Sequence, residues 1–202
     1  MNSMLRGFTR TLALAASLSM LAGIAAGQGS YEIDSAHSAA QFSVRHMMIS
    51  NVRGQFNKVS GTFYYDPNDL AASKVEALID ATTINTREPK RDAHLKSADF
   101  FDAEKFPTPT FTSTKVWKDG GKLLVKGDLT MHGVTHEAVL DVDGPTPEIT
   151  DQRGNVRIGA TATAKLNRQD WGLNYSRALE TGGAVVGDEV TITLDIEAVK
   201  KK

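Results

Sequence analysis

Hydrophobic and polar residues alternate along most of this 202-residue chain, with the two-residue period that is typical of β-strands. In residues 188–199, Val190, Ile192 and Leu194 share one face, whereas acidic and threonine side chains make up the other face. The same alternation occurs in residues 42–46, 75–81, 134–142 and 158–166. The pattern predicts strands with one buried and one solvated face.

Short segments that contain glycine, asparagine or proline separate these stretches, at residues 66–68, 119–121, 144–145 and 154–155. Asp119-Gly120-Gly121 is the clearest hairpin signal, because glycine adopts the left-handed backbone of a two-residue turn without a steric penalty. Short strands at this spacing predict an all-β sandwich or barrel. The sequence has no internal repeat and no long linker, so we expect one domain.

Residues 87–105 interrupt the alternation and are rich in helix formers. We expect one or two short helices there, inserted between strands, with Phe100, Phe101 and Phe106 turned onto the sheet. The prolines at 107 and 109 then end the insertion before the next strand begins.

The N-terminus has the layout of a secretory signal peptide. Arg6 and Arg10 precede an apolar run over residues 12–26 that ends in small side chains. This run is shorter than the roughly 20 residues that a transmembrane helix needs, and no cysteine follows it that could carry a lipid. We therefore predict a removed signal peptide over residues 1–27, a mature domain over residues 28–202, and export to the periplasm without stable membrane insertion.

Composition and charge narrow the classes of function. The chain has 23 basic and 24 acidic residues, a formal charge of −1, so it lacks the basic surplus of a nucleic-acid binder and we expect no nucleic-acid partner. It contains no cysteine, which excludes disulfides, thiolate catalysis and cysteine-ligated metal sites.

One predicted strand has an unusually small apolar face. Ala160, Ala162 and Ala164 follow one another on the apolar side of residues 158–166. In a barrel of about eight strands, small inward side chains leave room for one small ligand. The alanines fit equally well against the helical insertion or against larger neighbours, because alternation does not distinguish the inside of a barrel from a covered outside.

Ten sequence segments carry a family resemblance. They are residues 31–34 (YEID), His37, 42–47 (FSVRHM), 54–56 (GQF), 61–63 (GTF), Thr86 with 91–95 (RDAHL), 97–102 (SADFFD), 106–111 (FPTPTF), 127–135 (GDLTMHGVT) and 166–172 (LNRQDWG). In this order, and over nearly all of the predicted mature chain, the sequence resembles the YceI-like domain proteins, a family described as lipid- or polyisoprenoid-binding.

The resemblance implies an all-β fold, a single extended lipocalin-like antiparallel β-barrel of about eight strands with a short helical insertion near residues 87–105. It also implies a long apolar pore that holds a prenyl chain, such as that of an isoprenoid quinone or a polyprenyl phosphate. The same positions would form an ordinary core in a solid barrel. The candidate pore-lining residues are Phe42, Val44, Phe56, Phe63, Ile79, Phe100, Phe101, Phe111, Leu140, Ala160, Ala162 and Ala164.

Six polar residues are candidates for the pore rim or for contact with a headgroup: His46, Arg91, Asp92, His94, Arg168 and Asp170. Arginine suits an anionic phosphate, and a structural ion pair is the alternative for Arg91 and Arg168. His132 and His136 are four residues apart, which along a strand is about 13 Å and too far for one metal ion. We therefore expect no metal and no cofactor other than the bound lipid.

The sequence favours an exported, non-enzymatic protein that sequesters or carries a long-chain isoprenoid lipid. No serine or histidine lies in a recognised catalytic turn, so no catalytic residue is assigned. Two alternatives stay open at this point. One is a stress-related periplasmic interaction protein without a specific ligand, which assists a membrane electron-transfer partner, and the other is an enzyme that acts on a lipid or quinone. A monomer and a homodimer both fit the sequence.

Overall fold

The structure is a computed structural model that describes residues 27–178 and 184–202, so the predicted signal peptide lies outside the described residues except for Gly27. Its strands form one 12-stranded antiparallel sheet. They are β1 (Gly29–Ile33), β2 (Ala39–His46), β3 (Ser50–Phe56), β4 (Val59–Tyr65), β5 (Lys74–Ile79), β6 (Ile84–Asn85), β7 (Thr110–Asp119), β8 (Lys122–Met131), β9 (Val134–Asp143), β10 (Ile149–Thr150), β11 (Val156–Asn167) and β12 (Val186–Lys200). The described helices are α1 (Pro89–Lys96) and the 3₁₀-helices Leu70–Ala72, Ala81–Thr83 and Arg168–Trp171.

Eight of these strands close into a barrel. The pairing order β11-β9-β8-β7-β5-β4-β1-β12 returns to its start, because β12 pairs with β11 as well as with β1. Closure pairs the backbone groups that an open sheet would leave at its edges. The structure confirms the prediction of an all-β antiparallel barrel of about eight strands with a short helical insertion.

The longest strand, β12, has two neighbours along one of its edges. Its C-terminal end pairs with β1, where Lys200 lies opposite Tyr31, and its N-terminal part pairs with β2, where Val186 lies opposite His46. The chain continues from β2 into β3 as a hairpin, and β3 pairs in turn with β6. The β2–β3 hairpin therefore extends the barrel wall at the end where β12 begins.

Two tight turns connect β7, β8 and β9. Asp119 pairs with Lys122 across Gly120 and Gly121, whose φ angles are 55° and 83°, as the sequence predicts for this hairpin. The second turn lies at His132, so His132 and His136 do not follow one another along a single strand. His132 and Gly133 have φ angles of 52° and 76°, so the chain reverses at His132 and pairs Met131 with Val134.

The helical insertion contains the single helix α1. Glu88 caps its N-terminus through a hydrogen bond from the Lys90 amide to Oε1 (3.1 Å), and Pro89 occupies the first turn, where it needs no hydrogen-bond donor. The turns that follow α1 bring Phe101 against Phe56, with ring centroids 5.4 Å apart. Phe101 thus turns onto the sheet as expected, and the insertion covers the β2–β3 side of the barrel. Its helix cannot serve as a membrane span, since no helix in the described part of the chain is long and apolar enough to cross a bilayer.

The far end of the barrel, away from the start of β12, is closed by packed side chains. Tyr31, Ile158 and Ala198 form a buried cluster there. The Tyr31 ring stacks on Phe63 with centroids 5.1 Å apart, and its hydroxyl donates to Glu148 Oε1 (2.6 Å). Burial is the main reason that the pKa of Tyr31 is raised, and the Glu148 carboxylate raises it further.

Candidate functional site

The barrel encloses a cavity of about 490 Å³. Every strand of the eight-stranded ring contributes to its wall, as do β2, β3 and α1. On β12 the lining residues run from Val186 to Ile196, about 33 Å of strand at roughly 3.3 Å per residue. The cavity is therefore long, and its volume lies within the roughly 300–1,000 Å³ of typical small-molecule sites.

The structure brings all twelve candidate pore residues to this one cavity. Because side chains alternate between the two faces of a strand, the apolar face of each strand reaches the same interior. The twelve lining positions are Phe42 and Val44 on β2, Phe56 on β3, Phe63 on β4, Ile79 on β5, Phe111 on β7, Leu140 on β9, Ala160, Ala162 and Ala164 on β11, and Phe100 and Phe101 after α1. Their contact with a ligand stays a prediction.

The alanines of β11 lie on the inside of the barrel. Ala162 is opposite Leu194 of β12 and Val142 of β9, and all three residues line the cavity. Their small side chains leave this part of the interior unfilled, so the structure favours the hollow barrel over alanines packed against the insertion.

The sequence-based prediction of pore-lining residues missed part of the cavity wall. On β8, Leu123, Val125, Leu129 and Met131 all line the cavity. They have the two-residue period of a buried face, but Gly127 interrupts it. A Cβ at Gly127 would lie 2.4 Å from the Thr112 carbonyl oxygen, so glycine lets the strands approach at this point. The alternation on both sides of Gly127 is the signal that could have identified this strand.

A second group of missed residues comes from segments without any period. Leu95 lies on α1, and Leu173 and Tyr175 follow the Arg168–Trp171 helix. The Tyr175 ring contacts the Phe100 ring, with centroids 4.9 Å apart. No spacing rule places such residues at a barrel interior, because only the tertiary fold brings them there.

Basic side chains border the cavity where β2 ends and β12 begins. We call this region the basic end of the cavity and define it by Arg45, His46, Arg91, His94 and Arg168. The His94 ring packs edge-on against Tyr175, with centroids 4.8 Å apart, and its Nε2 lies 2.8 Å from Asp99 Oδ2. This end of the cavity is therefore polar, whereas the rest of its wall is largely apolar.

Arg168 is buried and holds the chain around the basic end. Its guanidinium donates to the backbone carbonyls of Gly187 (2.9 Å), Leu173 and Val186 (3.3 Å). It also pairs with Asp188 Oδ1 at 3.1 Å. Burial lowers the pKa of Arg168, and the Asp188 carboxylate acts in the opposite direction. These contacts favour the structural role for Arg168.

Arg91 and Asp92 meet at Thr86. Arg91 donates from Nε to the Thr86 hydroxyl (2.8 Å) and from Nη2 to the Thr86 carbonyl (3.0 Å). The Asp92 carboxylate accepts from the amide (2.8 Å) and hydroxyl (2.5 Å) of Thr86. Arg91 borders the cavity, whereas neither Asp92 nor the exposed Asp170 is among the described residues that line it. Asp92 therefore orders the α1 region, and Asp170 lies on the outside of the Arg168–Trp171 helix.

An acidic group at the far end of the barrel is bridged by an arginine. Donor atoms of Asp34, His37 and Glu197 lie within 4.8 Å of one another, a spacing that a metal ion could use. However, Arg157 Nη1 is 2.7 Å from Asp34 Oδ2 and 2.5 Å from Glu197 Oε1. The guanidinium therefore already bridges the two carboxylates and offsets part of their negative charge.

Trp171 fills a gap between two barrel strands. β9 and β11 pair only where residues 141–143 lie opposite residues 161–163, so the rest of β9 has no β11 partner in the described structure. Trp171 is buried beside this gap, donates from Nε1 to the Leu129 carbonyl (2.9 Å) and contacts the His136 ring, with centroids 5.5 Å apart. It closes the barrel wall where backbone pairing ends.

Comparison with known proteins identifies the family of this barrel. The family model of the YceI-like domain matches residues 31–198. The chain belongs to the YceI-like family. A UPF0312 protein of Staphylococcus aureus is 35% identical over 167 residues, which is 83% of this chain and 95% of the relative.

Two solved structures have the same barrel. The crystal structure of a Campylobacter jejuni YCEI protein is 32% identical, with a TM-score of 0.65, covering 78% of this YceI-like chain and 90% of the other. A domain of Saccharophagus degradans, named as polyisoprenoid-binding and implicated in plant cell wall breakdown, is 17% identical with a TM-score of 0.60. That match covers 87% of this chain and 100% of the domain. At this identity the likeness to the domain concerns the fold.

Proposed function

We propose that this YceI-like protein binds the prenyl chain of an isoprenoid quinone or polyprenyl phosphate inside its barrel, and carries or sequesters that lipid without converting it. The observation that carries the proposal is the continuous apolar wall of the cavity, built by inward faces of all eight ring strands. A long, narrow apolar interior is complementary to a linear hydrocarbon. The fold shared with a domain named as polyisoprenoid-binding supports the same ligand class.

Burial of the chain supplies enough free energy for binding. Each five-carbon prenyl unit contributes on the order of 4 kcal/mol gross, at about 0.8 kcal/mol per buried carbon. Several units exceed the association cost of roughly 4–15 kcal/mol without any polar contact. Affinity should therefore depend mainly on chain length, and the headgroup should contribute orientation.

The basic end of the cavity should determine the orientation of the bound lipid. His46 and Arg91 border the cavity there, and at the far end Tyr31, Ile158 and Ala198 close the barrel. We infer that the headgroup lies at the basic end and the chain extends toward Tyr31. The signal-peptide layout of residues 1–27 supports a periplasmic location for this carrier.

The direct test is mass spectrometry of an organic extract of the protein purified from producing cells, together with native mass spectrometry of the intact protein. We expect about one prenyl lipid per chain, since one continuous cavity runs along the barrel interior. A protein that is empty and that also rejects added quinones and polyprenyl phosphates would contradict the proposal and favour an interaction protein. Chemical change of the lipid during incubation would instead favour an enzyme.

A substitution within the cavity locates the binding site in the same assay. Ala162→Phe places a ring in the β11 wall, so we expect the amount of retained lipid to fall about tenfold or more, because roughly one prenyl unit loses its place. Thr163→Phe is the matched control, since Thr163 lies next in the strand with its side chain exposed. Equal retention by the two folded variants would show that this face does not hold the chain.

A further inference from the structure

Three large hydrophobic side chains project together from the turn between β2 and β3. Met47, Met48 and Ile49 have exposed fractions of 42%, 54% and 76%. We call these three residues the apolar tip. Exposed single hydrophobic residues are common on protein surfaces, but adjacent ones at a projecting hairpin indicate contact with an apolar partner.

Neither the turn nor the core explains these residue types. The Ile49 amide donates to the His46 carbonyl (3.1 Å), and the central residues Met47 and Met48 have φ angles of 50° and 61°. Positive φ at both central positions is the conformation that Asn-Gly adopts most easily and that methionine disfavours. The apolar side chains are therefore present at a backbone cost, with no packing gain inside the barrel.

The apolar tip is continuous with residues that line the basic end of the cavity. It directly follows His46 at the basic end, and the Met47 amide donates to the carbonyl of Val185, another lining residue (2.9 Å). Arg45 Nη2 donates to the Met48 carbonyl (2.9 Å), which fixes the turn against the barrel. An apolar surface that touches the tip therefore also lies close to the basic end of the cavity.

The hairpin segment that carries the tip contains only basic charges, which suit lipid phosphates. Residues 45–53 contain Arg45 and Arg53 and no acidic residue. These arginines are on the same face of the hairpin, since Arg45 pairs with Asn51 and Arg53 lies two residues further along that strand. Apolar side chains flanked by arginine are the usual composition of a segment that lies in a membrane interface.

We propose that the apolar tip docks into the surface of a lipid bilayer, with Met47, Met48 and Ile49 among the acyl chains and the arginines at the headgroups. The proposal rests on the proposed lipid-carrier function and adds the place of loading. A bilayer fits better than a protein partner, because stable protein interfaces bury about 1,200–2,000 Å² over shape-matched surfaces. Three side chains on a convex turn are too small for that, whereas insertion among acyl chains needs no matching surface.

The test is flotation of the purified protein with vesicles of phosphatidylethanolamine and phosphatidylglycerol. The variant Met47→Asn/Met48→Gly removes most of the apolar tip and installs the residues that this turn prefers. We expect its vesicle-bound fraction to fall about tenfold or more. Its melting temperature should stay equal or rise, so loss of docking would not result from unfolding.

Ile149→Ser is the matched control. Ile149 is 64% exposed and lies on β10, beside the far end of the barrel. Docking at the apolar tip predicts full vesicle binding by this variant. An equal loss of vesicle binding in both variants would indicate nonspecific adsorption and overturn the proposal. It would also be overturned if the wild type did not float, if Met47→Asn/Met48→Gly floated as well as the wild type, or if flotation required a membrane protein.

A separate measurement distinguishes this proposal from the proposed function. The Met47→Asn/Met48→Gly variant leaves the cavity wall intact, so added prenyl quinone should be retained at the wild-type stoichiometry once it is bound. The rate of quinone transfer from vesicles should fall together with flotation. Flotation without any quinone retention would contradict the carrier function and leave the docking surface in place.

Discussion

Arg157 connects three carboxylates that are far apart in the sequence. It donates to Asp34, which follows β1, to Asp151 in the loop before β11 and to Glu197 on β12. Hydrogen bonds from Arg157 and then from His37 lower the pKa of Asp34 from 3.8 to about 2. The pKa of Asp151 is lowered for the same main reason. The folded state therefore favours the ionised form of both carboxylates.

This arrangement predicts a specific acid sensitivity. Because the pKa of Asp34 is lower in the folded protein, its stabilising effect is complete above the unfolded value near 3.8 and is lost as the pH falls toward about 2. We expect the melting temperature to drop across this range, and Arg157→Gln to flatten the drop while lowering stability at neutral pH. Circular dichroism melts from about pH 2 to pH 7 measure both effects.

The control for this prediction is Arg153→Gln, an exposed arginine in the same loop. It should keep the acid profile of the wild type. An Arg157→Gln profile that is parallel to the wild type would show that another group controls the acid transition.

At this scale the sequence predicted inward positions better than polar partners. Phe42 and Ala162 both point into the cavity, because side-chain direction in a strand follows position alone, and their contact with a lipid stays a prediction. The sequence alone does not decide the role of Arg168, since most of its acceptors are backbone carbonyls that only the fold brings together. Asp170 does not lie at the rim of the cavity, because its side chain is exposed on the outside of the barrel.

Among the elements, the Arg168–Trp171 helix has the clearest mechanical role. It follows β11 directly and inserts Trp171 where β9 is no longer paired with β11. The indole fills the gap and bonds to β8 through the Leu129 carbonyl. One short helix thus completes a wall that the strands alone leave open.

Removal of the indole should therefore open the barrel. We expect Trp171→Ala to lower the free energy of unfolding by about 3–5 kcal/mol, as for other large buried aromatic residues. Trp117→Ala is the comparison, since Trp117 is only half-buried and should cost clearly less. Urea denaturation followed by circular dichroism measures both, and equal losses would mean that Trp171 has no special part in closure.

Element prediction succeeded where the two-residue period was long and uninterrupted. The β7–β8 hairpin and β12 follow their patterns closely. The two-residue strands β6 and β10 have no period to detect, and their pairing depends on neighbours already in place. The 13 Å spacing of His132 and His136 holds only for a continuous strand, and the chain instead reverses at His132 and Gly133, where Met131 pairs with Val134.

For the whole molecule, alternation predicted the strands but not their closure. A sandwich and a barrel have the same period along each strand, and the barrel was favoured by the family resemblance. Closure depends on β12, which pairs with β11 along most of its length and is shared by β1 and β2 on its other edge. The local alternation of residues does not predict which strands pair when they are far apart in the sequence.

The cavity inside the barrel should also make the stability of the protein sensitive to hydrostatic pressure. Unfolding eliminates internal voids, so hydrostatic pressure favours the unfolded state of a protein in proportion to the voids it contains. A barrel with a cavity of about 490 Å³ should therefore unfold at a clearly lower pressure when empty than when a lipid fills it. Tryptophan fluorescence of the Trp117→Phe variant, in which Trp171 is the remaining tryptophan, would follow the transition under increasing pressure. Equal midpoints for the empty and loaded protein would contradict the expectation. The bound lipid would then stabilise the barrel against pressure, and the midpoint pressure of unfolding would report whether the cavity is filled.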